Sequence, residues 1–99
     1  MLEAVFVLPE FDDATRFSRL WGHRLIERVK DKVGVTLFER DNATREKVEN
    51  ALKAHPNADF VFGNHGDSEG LVAQDGKDYV IDKRNNGLLK DRVVFTMAC

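Results

Sequence analysis

Apolar residues in this chain come either in short unbroken runs or at intervals of three and four positions. Ala4 to Leu8 is unbroken and stopped by Pro9, which predicts a strand covered on both faces. Asp12 or Asp13 then offers an N-cap. Phe17, Leu20, Trp21, Leu25 and Val29 recur at helical spacing, and Gly34 is placed to end the helix. Because they share that stripe, Phe17, Leu20 and Trp21 are expected in the core, while His23 and His55 are read as surface or helix-end residues. Val35 to Phe38 is a second strand. A second helix, capped by Asp41 or Asn42, presents Val48, Ala51 and Leu52 and is stopped by Pro56. Phe60 to Phe62 is a third strand that runs into Gly63-Asn64-His65-Gly66.

After His65 the rhythm changes. Leu71-Val72 and Tyr79-Val80-Ile81 flank the turn pair Asp75-Gly76, which predicts a β-hairpin laid over the sheet. Asp82 is read as the cap of a short helix through Leu88-Leu89, against which Asn85-Asn86-Gly87 weighs. Val93 to Met97 is the fourth strand and delivers Cys99. The series strand, helix, strand, helix, strand, crossover, strand predicts a three-layer α/β domain over residues 1–99. Its mostly parallel four-stranded sheet has order 2-1-3-4, with helices on both faces and the hairpin as an insertion.

Composition narrows the partners. The chain has 99 residues, 42% of them hydrophobic, which suits one modest core and not two domains. A net charge of −2 with both signs interspersed provides no basic stripe, so nucleic acid is not an expected partner. The runs Ala4 to Leu8 and Val93 to Cys99 are too short to span a bilayer and Glu3 interrupts any signal-like start, so no membrane is expected and the cytoplasm is the expected location. The single cysteine, Cys99, forms no internal disulfide. His23, His55 and His65 lack the clustering and the second thiol of a zinc site, so no metal is expected. Asn42-Ala43-Thr44 is read as a helix start, not a glycosylation site. No glycine-rich phosphate loop follows strand one, which weighs against a nucleotide-binding domain.

In open parallel sheets ligands bind beyond the carboxyl ends of the strands. There the third strand supplies His65 and Gly66, and the fourth supplies Cys99. If those strands are neighbours, imidazole and thiol meet on one edge. A thiol of pKa about 8.5 and an imidazole near about 6.5 are poorly matched alone, but mutual attraction favours the ion pair. The imidazole then takes the thiol proton and later protonates a leaving amine. The backbone N–H groups of Gly66 and Cys99 are candidate oxyanion donors, and glycine lets a substrate carbonyl come close. Glu10, Asp12 and Asp13 follow strand one on the same edge, where a carboxylate can orient the imidazole or attract a basic substrate side chain. The simpler and favoured reading is that Asp12 or Asp13 caps the helix. Asp67 and Glu69, close to His65 in sequence, are further substrate-binding candidates or simply solvated loop residues.

The apolar block Ala58 to Phe62 before His65-Gly66, and the block Val93 to Met97 before Ala98-Cys99, resemble the caspase-like superfamily of cysteine peptidases, which includes caspases, gingipains, legumains and separases. The spacer between His65 and Cys99, with its hairpin and Asn-rich turn, is most similar to the gingipain-type branch. The resemblance implies a caspase-like fold, Cys99 as nucleophile, His65 as general base and acid, and Gly66 with Cys99 as oxyanion-hole donors. It implies a peptide or protein substrate and no metal or organic cofactor. It covers nearly the whole chain, as the first half of the family's catalytic domain. In the family the chain continues past the cysteine, whereas this sequence ends on it. A C-terminal carboxylate beside the thiol would raise its pKa and crowd the oxyanion, so the chain alone is expected to be weak or inactive. Strand four, left at an edge, is expected to pair with a second copy as a homodimer through Val93 to Met97. The rival reading is a non-catalytic α/β module for binding or self-assembly.

Overall fold

The chain was analysed as a computed structural model that describes residues 2–98, so every expectation placed on Cys99 lies outside the described residues. Leu2–Leu8 forms β1, and its last five residues are buried on both faces as an unbroken apolar run requires. Pro9 ends it. Helix α1, Asp13–Val29, starts from a reciprocal cap: Asp12 Oδ1 accepts the Thr15 N–H at 2.8 Å, and Thr15 Oγ1 accepts the Asp12 N–H at 3.0 Å. Gly34 does not end that helix but lies inside β2, Val33–Glu39, because the chain reverses over Lys30 to Lys32.

Helix α2, Arg45–Ala54, takes Thr44 as its cap, correcting Asp41 and Asn42, which sit in a tight turn over Arg40–Asn42. His55 ends α2 as expected. β3, Asp59–Asn64, leads through His65 into two strands, β4 (Gly66–Asp67) and β5 (Gly70–Val72). With β6, Tyr79–Asp82, they make a small antiparallel sheet of order β4-β5-β6, so the expected hairpin carries one extra strand. The short helix is a single 3-10 turn, Asn86–Leu89, and Asp82 does not cap it. That carboxylate is instead held by Arg45 and Arg84. β7, Val94–Ala98, is the last strand.

The main sheet is wholly parallel with order β2-β1-β3-β7, the predicted 2-1-3-4. One face packs Val5, Val7, Phe60 and Phe62 against Val48 and Leu52 of α2 and against Val80 and Ile81 of the small sheet. The other face, Ala4, Phe6 and Val61, packs against Trp21, Leu25, Ile26 and Val29 of α1, giving three layers. Each fully buried Phe contributes about 1.5–3 kcal/mol relative to exposure. Arg92 ties the approach to β7 onto the end of α2, donating to the carbonyls of Leu52, His55 and Ala58, which places that strand beside β3.

Phe17 and Leu20 are not core residues: they are 68% and 52% exposed. The helix instead sets its small residues on the sheet. Thr15, Ser18 and Gly22 are buried, and a methyl group added at Gly22 would meet Leu8 Cδ2 at 2.5 Å. That close approach rolls the helix so that Phe17 and Leu20 turn outward and only part of the apolar stripe is covered. His23, mid-helix and part-buried, faces Glu39 of β2.

Candidate functional site

Three chain segments leave the carboxyl edge of the sheet side by side, because β1 and β7 are the two neighbours of β3. From β1 comes the loop Pro9 to Asp12. From β3 comes His65, the residue after Asn64. From β7 comes Ala98, which pairs in register with Asn64. The expected adjacency of the two strand tips is therefore present up to Ala98.

His65 Nε2 lies 2.9 Å from Asp12 Oδ2. The carboxylate has a second duty, since its Oδ1 accepts the Thr15 N–H, so the helix cap fixes the group that meets the imidazole. Both bonds hold the Asp12 carboxyl below its ordinary pKa, the Thr15 backbone bond first and the His65 bond second. Asp12 is thus an anion at neutral pH and can only accept. The shared proton sits on Nε2, which leaves the Nδ1 lone pair as the acceptor of a neutral imidazole. Among the described residues Nδ1 makes no hydrogen bond. The Phe11 ring flanks the imidazole at 5.8 Å between centroids. The side chains are 33% and 44% exposed, so the pair is open to a solvent-borne reactant.

The backbone on either side of the imidazole is fixed by the small sheet. Asn64 Nδ2 donates to the Val72 carbonyl, and the Val72 N–H donates to the His65 carbonyl, both at 3.0 Å. Gly66 opens β4 and pairs with Leu71. Asp13 is exposed in the first turn of α1, where its charge suits the helix dipole, and it makes no contact with His65 among the described bonds. Asp67 closes the β4–β5 turn: Oδ1 accepts the N–H groups of Glu69 and Gly70, and Oδ2 accepts the Tyr79 hydroxyl. Those bonds, Glu69 first, lower the Asp67 pKa, and the bond to Asp67 raises that of the Tyr79 hydroxyl. Of the five carboxylates singled out in the sequence, Asp12 alone reaches His65, and Glu69 stands exposed at the turn without such engagements.

Two features had no mark in the sequence. Gln74, just before the hairpin turn, exchanges two bonds with the Glu10 backbone, donating to its carbonyl at 2.6 Å and accepting its N–H at 2.8 Å. The loop carrying Asp12 is thereby clamped from the far side of the sheet edge. Arg19 bridges Glu10 and Glu39, and His23 joins the same Glu39 carboxylate. Burial raises the Glu39 pKa, but the bonds from His23 and Arg19 outweigh it and keep the group below its ordinary value.

A groove of about 370 Å³ runs between the small sheet and β7, with Leu71, Ile81 and Val94 among its apolar walls and Asp67, Glu69 and Lys83 among its polar ones. Among the described residues no three His, Cys, Asp or Glu side chains come together as a metal site, and no helix is long and apolar enough to cross a membrane. No family model, no curated protein and no solved structure matches this chain.

Proposed function

We propose that this chain carries the catalytic dyad of a caspase-like cysteine endopeptidase, with Cys99 as nucleophile, His65 as base and acid, and Asp12 as the carboxylate that orients the imidazole. The observation that carries the reading is the Asp12–His65 bond at the carboxyl end of β3, beside the strand that leads to Cys99. Nδ1 takes the thiol proton and the thiolate attacks the peptide carbonyl carbon. The N–H groups of Gly66 and Cys99 receive the oxyanion. The imidazolium, stabilised by Asp12, returns the proton to the departing amine and leaves a thioester on sulfur. Water, deprotonated by His65, then releases the acid. The substrate is an extended peptide lying in the groove beside β7, where Glu69 offers a carboxylate to a basic side chain. A working thiol nucleophile suits the cytoplasm, where thiols stay reduced.

Alkylation tests this directly, because Cys99 is the only cysteine. Iodoacetamide labelling of the native chain is expected to proceed well below the pH of an ordinary thiol, about 8.5, and His65→Ala is expected to shift it upward. Identical labelling profiles would remove the dyad.

A second reading, a non-catalytic module that assembles through β7, draws on one observation. Among the described residues β7 has a neighbour on one side only, and Val94 and Phe95 are 39% and 58% exposed. Such an edge invites a second copy.

A further inference from the structure

Helix α1 is a cylinder about 10 Å across, lying on a sheet of four strands spaced about 4.8 Å apart, so it covers roughly half of its face. It stands over β1 and β3, where Gly22 meets Leu8 and Ser18 meets Gly63. Its flank toward β2 is used, since Arg19 and His23 bind Glu39 there. The opposite flank, toward β7, is open. Along it run Phe17, Trp21, Arg24 and Arg28, spaced four, three and four positions apart as one ridge of the helix. Hollows of about 150 Å³ and about 250 Å³ lie along this ridge, and a third of about 210 Å³ opens between Leu25, Val29, Val61 and Phe95.

We propose that this trough receives an amphipathic helix of a partner protein, with an apolar stripe against Trp21, Leu25 and Phe95 and carboxylates facing Arg24 and Arg28. Size and charge carry the choice. A helix packed at about 8–10 Å from α1, roughly two strand spacings from the line between β1 and β3, would stand over β7, the strand that α1 leaves bare on this side. A second copy paired through β7 would instead bring its own α1 to about 19 Å, four strand spacings away, and leave the trough empty. Arg24 and Arg28 form no ion pair among the described residues, although the chain carries a net negative charge. An aromatic floor with an arginine rim is the usual make-up of a protein-binding surface. The angle between the α1 flank and the bare sheet face suits a rod better than a lipid plane.

Trp21 is the only tryptophan, so its emission reports on the trough. The probes are two synthetic helical peptides without tryptophan, of about five turns, each with a leucine stripe. One is flanked by glutamates and the other by lysines. The glutamate peptide is expected to shift Trp21 emission to shorter wavelength and to bind about tenfold or more tightly than its lysine twin, a preference carried by two ion pairs. Arg24→Glu with Arg28→Glu, both on exposed positions, is expected to reverse the order. Equal binding of the two peptides, binding of neither, or a shift with phosphatidylserine vesicles alone would overturn the proposal.

Discussion

Asp12 Oδ2 and His65 Nε2 meet at 2.9 Å although 53 positions separate the residues in sequence. The bond joins two strands' exit loops and a helix cap, so a single carboxylate links the stability of α1 to the setting of the imidazole. The two duties can be separated by substitution. Asp12→Asn keeps a good cap and is expected to leave stability nearly unchanged, whereas Asp12→Ala is expected to cost about 1 kcal/mol. Both replace the charged acceptor at Nε2. Nitrogen NMR of His65 is expected to show the Nε2–H tautomer dominant in the native chain and a weakened preference in both variants. The same tautomer distribution in all three proteins would show that Asp12 does not set the ring.

Asp82 gives the fold a sensitivity to acid. Its carboxylate accepts from Arg84 at 2.6 Å and from Arg45 at 2.9 Å and 3.1 Å, and these bonds, Arg84 first, hold its pKa well below the ordinary range. A carboxyl whose pKa is lower in the folded chain adds stability that is complete above its unfolded value, about 3.9, and is lost as the pH falls below it. Urea unfolding at pH 7 and pH 3 is expected to show a smaller acid loss for Asp82→Asn than for the native chain. The loss does not vanish, because Asp12, Asp67 and Asp75 are shifted in the same direction. An unchanged difference between the two pH values would mean that the arginine pair is not coupled to folding.

Much of this architecture was legible in the pattern of apolar residues. Ala4 to Leu8, Phe60 to Phe62 and Val93 to Met97 stand out because strands buried in a parallel sheet must be apolar at every position. Their order does not follow from the pattern; 2-1-3-4 is the expected arrangement only because open parallel sheets commonly adopt it. What the pattern concealed was the roll of α1. Phe17 and Leu20 belong to the helical stripe by spacing, yet Gly22 and Ser18 face the sheet because only small side chains fit against Leu8 and Gly63. A stripe of large residues says which side of a helix is apolar, not how much of it the neighbouring layer is wide enough to cover. At the site, Asp12 could be singled out because it follows a strand on the ligand-binding edge. Choosing it over Asp13 needed the cap geometry, and Gln74 had no local pattern at all.

Gly22 makes the roll of α1 testable. Any Cβ at that position falls within 2.6 Å of both Leu8 methyl carbons, so Gly22→Ala must displace the buried Leu8 side chain or push the helix off β1. The expected cost is about 1–3 kcal/mol, as for other overpacked contacts. Removing the obstruction should recover part of it: Leu8→Ala combined with Gly22→Ala is expected to lose less than the sum of the two single changes. Chemical denaturation of the four proteins measures that coupling. Strict additivity would mean that the two residues do not touch.

The edge at β7 supplies the remaining test. Val93, Val94 and Phe95 are 54%, 39% and 58% exposed, an apolar edge of the kind that pairs with another strand. Sedimentation is expected to show a monomer–dimer equilibrium that shifts to larger species with concentration. Phe95→Lys, on an exposed position, is expected to return the chain to monomer without lowering its stability, because a lysine at a sheet edge opposes edge-to-edge pairing while leaving the bonds between β3 and β7 intact. If the native chain stays monomeric at high concentration, the edge does not pair with a second copy. If both proteins dimerise alike, another face holds the copies together.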